Sequence, residues 1–208
     1  MKRGPQRSVD QKAVLDAALE LIDAGGLTMR ALATRVGLTP GALYTYFPDR
    51  AAIVTALTDR LLGEADLGLL EDEGRPPGER IAAFALNLRE VLMRHPAAVP
   101  SILGAAFNGP VALRVGESLL AALPDPRAAY TVMVYVLGSI ALEAAEVRGP
   151  GPVPPEAERI AARRAAFDIE PEAFPRTHAA ADAIAAYIST GQFRWGLERV
   201  LAGLAAGK

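Results

Sequence analysis

The chain has 208 residues, 51% apolar and 22% charged, with a formal net charge of −2, an ordinary globular composition long enough to bury a core. It has no cysteine and only two histidines, His95 and His178, which excludes disulfides, thiolate metal sites, cysteine nucleophiles and a histidine metal cluster. No cofactor or metal is therefore expected.

From the start, Lys2, Arg3 and Arg7 make a basic arm over residues 1–7. Such an arm either tracks DNA phosphates or enters a minor groove, or it is a solubilising tail. MKRGPQRSVDQ has no apolar core, so no signal peptide is expected there. Ser8 followed by Gln11 resembles a capping box. Val14, Ala17, Ala18, Leu21 and Ile22 then form an apolar stripe ending at Gly25-Gly26. Asp16, Glu20 and Asp23 on the other face would be repelled by phosphate, which makes this a support helix turned away from DNA.

Thr28 can cap a second helix, with Met29, Leu32, Ala33 and Val36 at i, i+3, i+4 and i+7. Gly37 follows, where a chain leaving a helix needs positive φ, and Leu38 points back into the corner. Thr39 is a good N-cap, Pro40 suits the first helical position, and Leu43 and Phe47 anchor the third helix. Two helices joined by a short Gly-containing turn make a helix-turn-helix, whose second helix can lie in the major groove. The competing reading is a helical corner of some other all-α protein.

Thr39, Pro40, Gly41, Ala42, Thr45 and Tyr46 lie on or near the exposed front of that second helix. Thr hydroxyls can bond base edges or phosphates, and Ala42 can meet a thymine methyl. With no Arg, Asn or Gln there, base reading rests on few contacts and on DNA shape. Thr28, Arg30, Tyr44, Tyr46 and Arg50 are phosphate candidates, with Arg35 a further one. Residues 1–50 carry seven Lys/Arg against five Asp/Glu, and the rest 15 against 19. A basic tip on an acidic body suits a DNA reader.

Thr28, Leu32-Ala33, Gly37-Leu38, Thr39-Pro40, Leu43-Tyr44, Tyr46-Phe47, Arg50 and Leu57 together resemble the DNA-binding domain of the TetR family of one-component repressors. Phe193, Gly196-Leu197, Leu201 and Gly203-Leu204 resemble that family's closing helix. The resemblance covers the first third of the chain well, the last helix moderately and the middle hardly at all. It implies phosphate contacts at the matching positions, a small-molecule effector pocket in the body, and a four-helix dimer interface with two helices from each subunit.

Pro48-Asp49 begins a helix expected to run to about Leu70, with Ile53, Leu57, Leu61 and Leu62 on its apolar face. EDEGRPPG (71–78) is a loop. A helix to His95 carries Ile81, Phe84, Leu88, Val91 and Leu92. Pro96 breaks it, and His95 is read as a helix end. Short helices follow over 97–106 and 111–123. Asp125-Pro126 caps a long apolar helix over 127–148. GPGPVPP (149–155) is a linker, 156–167 a polar helix, and 177–187 and 192–206 the last two. The apolar run 128–142 is short of the about 20 residues a membrane span needs, so no membrane partner and a cytoplasmic location are expected.

The helix 127–148 is apolar nearly all round and so calls for burial on all sides. Phe193, Leu197, Val200, Leu201 and Leu204 form one stripe of the last helix, with Gly196, Arg199 and Gly203 as a low ridge. Both helices are assigned to a homodimer interface, the alternative being the core of a monomer. Candidate pocket residues are Phe84, Leu88, Leu92, Phe107, Tyr130, Met133, Val134 and Phe167, suited to an apolar effector but also consistent with plain core. Glu143 and Glu146 are either polar ligand contacts or a solvated face. No nucleophile–base or paired-carboxylate spacing is present.

The expected protein is all-α, with a helix-turn-helix DNA-binding domain (1–48), a connecting helix (49–70) and a helical-bundle effector-binding and dimerisation domain (71–208). It is expected to bind a palindromic double-stranded DNA operator as a homodimer and to be released by a small apolar effector. The alternatives are an activator, a regulator without an effector, or an all-α enzyme or carrier with a helix-turn-helix-like corner.

Overall fold

The computed structural model describes residues 10–147 and 152–206. The basic arm and Ser8 lie outside the described residues. Helix α1 (Gln11–Asp23) is capped by Asp10, whose carboxylate accepts the Lys12 N–H at 3.1 Å. The described start of the helix is thus fixed by Asp10. Val14, Leu15, Ala18, Leu19 and Ile22 are buried, a wider face than the expected stripe, and Leu21 is half-buried.

Thr28 Oγ1 accepts the Ala31 N–H at 3.0 Å and starts α2 (Met29–Arg35). Gly37 has φ +69°, a left-handed conformation that a Cβ would strain. That turn lets the Leu38 N–H reach back to the Ala33 carbonyl at 2.9 Å, closing the helix end. Thr39 Oγ1 accepts the Ala42 N–H at 3.2 Å and starts α3 (Pro40–Leu43). The second helix is shorter than expected. Beyond Leu43 it tightens, with Tyr46 and Phe47 N–H both donating to the Leu43 carbonyl, at 2.9 and 3.0 Å. Leu32, Ala33, Leu43 and Phe47 are buried where the two helices meet. Each such large side chain contributes about 2 kcal/mol, so packing, not helix propensity, holds so short an element.

Asp49 accepts the Ala52 N–H at 2.8 Å and starts α4 (Arg50–Gly63). This helix stops seven residues before the expected Leu70. Asp66 ends it, because its N–H donates to Asn87 Oδ1 at 2.7 Å and its carboxylate accepts the Gly68 N–H at 3.0 Å. A side chain that competes for backbone N–H groups favours a turn over continuation of the helix. The new helix is α5 (Gly68–Glu71).

The body follows as α6 (Pro77–Met93), a 3₁₀ turn at Pro96–Ala98, α7 (Val99–Leu103), α8 (Pro110–Ala122), α9 (Pro126–Glu146), α10 (Glu156–Ala166), α11 (Pro175–Ala179), α12 (Ala181–Ala185) and α13 (Thr190–Ala206). The expected single helix over 177–187 is instead two short pieces. The Ala180 N–H is shared between the carbonyls of Arg176 and Thr177, and α12 turns to pack on α10 with Ala181 and Ala185 buried. Tertiary contact overrides a favourable Ala-rich propensity. Among the described residues there is no strand.

Head and body share one apolar core, because α4 packs on α1 and also on α6, α7 and α8. The acids of α1 are all paired, rather than forming a bare face. Asp16 binds Arg60, whose hydrogen bond holds the Asp16 carboxyl below the usual carboxylate range. Glu20 pairs with Arg35, and Asp23 accepts from His95 Nδ1 at 2.9 Å. His95, expected only as a helix end, thus joins body to head.

Glu143 is not on a solvated face, whereas Glu146 stays at the surface, and both are held in ion pairs. Glu143 is 4% exposed. Arg89 binds it through two bonds of 2.7 and 2.8 Å, and Arg159 adds a third at 2.7 Å. Glu146 accepts from Arg159 at 3.1 Å and from Arg163. The network ties α6 and α10 to the end of α9.

Helix α9 buries Val132, Val136, Ile140 and Ala144 and leaves Tyr130 and Val134 62% and 50% exposed. By length and composition it could cross a membrane, a reach the run 128–142 understates. Its inner face is taken by the body and its end by the Glu143 ion pairs. Helix α13 also departs from expectation. Phe193 and Leu197 are buried within the chain, and Gly196 lies against the Tyr135 ring. The outward side of α13 carries Trp195, 56% exposed, with Arg199 and Ala202.

Candidate nucleic-acid face and apolar cavity

The front of the head is built by the two capped helices. Thr28, Arg30, Thr39, Pro40, Gly41, Tyr44, Thr45 and Arg50 are all exposed, and Tyr44 is 51% exposed. Arg30 and Arg50 have no carboxylate partner among the described residues, so both are free for an anion. Arg35 is held by Glu20. Thr28 and Thr39 use an oxygen lone pair on the cap, which leaves each hydroxyl proton available to donate outward. Thr45 instead donates to the Ala42 carbonyl at 2.6 Å, so its methyl and its lone pairs are what it can offer. Ala42 and Tyr46 are half-buried. Tyr46 lines a cleft between head and body with Phe47, Arg60 and Pro110, which sets it back from the front.

Gly41 matters for what surrounds it. A Cβ built there would meet nothing within 4 Å. Packing inside the chain does not require this glycine, and it leaves the backbone open to close approach from outside.

The body holds an apolar cavity of about 340 Å³ between α6, α8 and α9, with Leu62 and Leu70 reaching into it from the head side. Of the expected pocket residues, Phe84, Leu88, Phe107 and Met133 line it. Leu92 is core, Tyr130 and Val134 point outward, and Phe167 is half-buried at the end of α10, away from the cavity. Leucine and valine positions such as Val115, Leu119 and Val136 were not anticipated as lining. Periodicity says which residues share a face, not which faces leave a gap.

One contact joins cavity and head. Asp59 of α4 accepts the N–H groups of Val111 and Ala112, both at 2.9 Å, so it caps the helix that walls the cavity. The approach is close enough that a Cβ at Gly109 would sit 2.3 Å from the carboxylate. Replacing Asp59 with Ala strands two N–H groups at the start of α8. It should cost about 1–2 kcal/mol in urea denaturation. An unchanged midpoint would show that water replaces the carboxylate without loss.

Residues 14–57 match the family model described as "Bacterial regulatory proteins, tetR family", and residues 74–207 match "Tetracyclin repressor-like, C-terminal domain". An HTH-type transcriptional regulator of Saccharopolyspora erythraea is 31% identical over 144 residues, which is 64% of this chain and 60% of that protein. The HTH-type transcriptional repressor KstR of Rhodococcus jostii is 32% identical over 89 residues, 41% of this chain and 42% of its own. The matched stretches thus span 60% and 42% of these relatives' lengths. A TetR transcriptional regulator from Streptomyces coelicolor superposes with a TM-score of 0.72 at 28% identity, covering 95% of this chain and 98% of that one. The TetR family protein ActR from the same organism, solved with (S)-DNPA, shares the fold, with a TM-score of 0.77 at 21% identity over 98% of this chain and 100% of that one.

Proposed function

Since this chain belongs to the TetR family of transcriptional regulators, we propose that it is a homodimeric, cytoplasmic repressor that leaves its operator when a small apolar molecule fills the body cavity. The observation that carries this reading is the double attachment of α4. Its start supports the head, while Leu62 reaches the cavity and Asp59 caps the cavity's wall helix. A molecule that moves α8 must therefore pull on the helix that aims the head. Two head spacings, only one matching a palindromic operator, make this a population shift between two states.

Residues 1–48 act as the DNA-binding unit, 49–70 as the link, now two helices, and 71–208 as sensor and dimer unit. Arg30, Arg50, Thr28 and Tyr44 meet phosphates, while Thr39, Pro40, Gly41, Ala42 and Thr45 face base edges. Tyr46 meets a phosphate only from the flank. The dimer forms through the outward faces of α9 and α13. Val134, Gly138 and Leu142 recur at i, i+4, i+8, and Trp195, Arg199 and Ala202 recur at i, i+4, i+7. All six are exposed in the single chain, so a partner's equivalent pair would complete a four-helix interface.

The test is duplex binding by fluorescence anisotropy across a salt series, with fragments selected from a random duplex pool. Affinity should fall steeply with salt. Arg30→Ala and Arg50→Ala should each weaken binding to all sequences and lower the salt slope by about one. Thr39→Ala should alter which sequence is preferred. Salt-independent or absent binding would instead favour a carrier or enzyme.

A further inference from the structure

Resting on the effector reading above, we infer that the cavity selects by charge: it takes a cationic apolar amphiphile and rejects an anionic one, with Glu117 as the discriminating residue. Among the described residues, Glu117 is the only side chain lining the cavity that can carry charge. The deep wall is Ile81, Phe84, Leu88 and Val136, which offer no hydrogen-bond donor. The backbone N–H groups there are spent inside helices. A carboxylate or phosphate drawn in would lose its water and find no partner.

Glu117 stands at the mouth. It is exposed, and it sits on α8 with Leu113 one turn before it and Leu120 one turn after. Both leucines are exposed as well, and Met133 of α9 faces them across the opening. Glu117 makes no ion pair with any described residue. Arg114, one turn before it on α8, is taken by a two-bond pair to Glu71 at 3.0 and 2.8 Å. The mouth therefore presents an apolar rim with one uncommitted negative charge. A ligand with its tail among the leucines would place a positive head beside Glu117, and a negative head would meet repulsion there.

The test compares three probes with the same ten-carbon tail: decyltrimethylammonium, decanol and decanoate. At interior packing density, about 0.74, a cavity of this size holds roughly a dozen carbons. Binding is read at pH 7.5, below the micelle concentration, by displacement of 1-N-phenylnaphthylamine. The ammonium should bind roughly twofold to fivefold tighter than the alcohol, the range of one solvent-exposed ion pair. Decanoate should bind more weakly than the alcohol. Glu117→Gln should abolish the ammonium's advantage and leave decanol unchanged. The exposed, unpaired position of Glu117 means the substitution does not threaten the fold, which unchanged thermal melting would verify.

Decanoate binding as tightly as decanol would overturn the inference. So would a cation advantage that survives in Glu117→Gln, or failure of all three probes to bind. Operator release by the same probes is a separate readout. The expected ranking without release of DNA would sustain the charge selection and sink the effector role.

Discussion

Glu143→Ala is expected to lower the unfolding free energy by about 3–5 kcal/mol. Glu143 is the shared anion of Arg89 and Arg159, and all three side chains are nearly inaccessible to water. Removing it leaves two guanidinium groups facing each other in a poorly solvated site. Neither can lose its proton to escape the cost. Arg89 keeps one weaker contact, to Glu156 at 3.3 Å, and Arg159 keeps Glu146. Glu156 itself is pushed up by burial, but the Thr190 hydrogen bonds and the charges of Arg89 and Arg159 win and hold it below its usual range. These residual pairs soften the loss without removing it. Urea denaturation at fixed protein concentration measures the effect. A loss under about 1 kcal/mol would mean that water enters and solvates both arginines. Replacing all three charges together by Leu and Met should cost far less than the single change, because the desolvation penalty goes with them.

Val134→Arg is expected to abolish dimerisation and to reduce operator affinity by about a hundredfold or more. Val134 is 50% exposed in the single chain, so the subunit itself tolerates a longer side chain there. In a two-fold interface the same patch serves both subunits, so one substitution brings in two unpaired charges. Once the subunits separate, the second head is no longer held near the second half-site. Losing that high effective concentration costs about 10²–10⁴ in affinity. Sedimentation velocity reads the mass, and anisotropy reads the DNA. A variant that stays dimeric would place the interface elsewhere than the outer face of α9. One that becomes monomeric yet keeps full affinity would show that a single head suffices.

What the amino-acid order determines by itself is everything closed over a few residues. Thr28, Thr39, Asp49 and Asp125 each accept a backbone N–H two or three positions ahead. Gly37 needs no distant partner to adopt φ +69°. The helix starts and the turn of the helix-turn-helix are set almost wholly by such short-range terms, so they were legible from the letters, as were most element boundaries in the body. Where a boundary was misread, a competing side chain was the cause, as with Asp66 at the end of α4, or a packing contact, as with α12 on α10.

Only the tertiary structure decides the rest. Asp59 meets Val111 from 52 positions away and Arg89 meets Glu143 from 54. A helical stripe says which residues travel together, but not what they will face. Phe193 and Leu197 could have formed an interface, and instead they pack inward while Trp195 turns out. Tyr130 and Val134 have the character of pocket residues and lie on the outside, whereas Phe84, Leu88, Phe107 and Met133 border a real space. A cavity is volume left unfilled when several helices meet. It belongs to none of them singly, and no periodicity within one helix can record it.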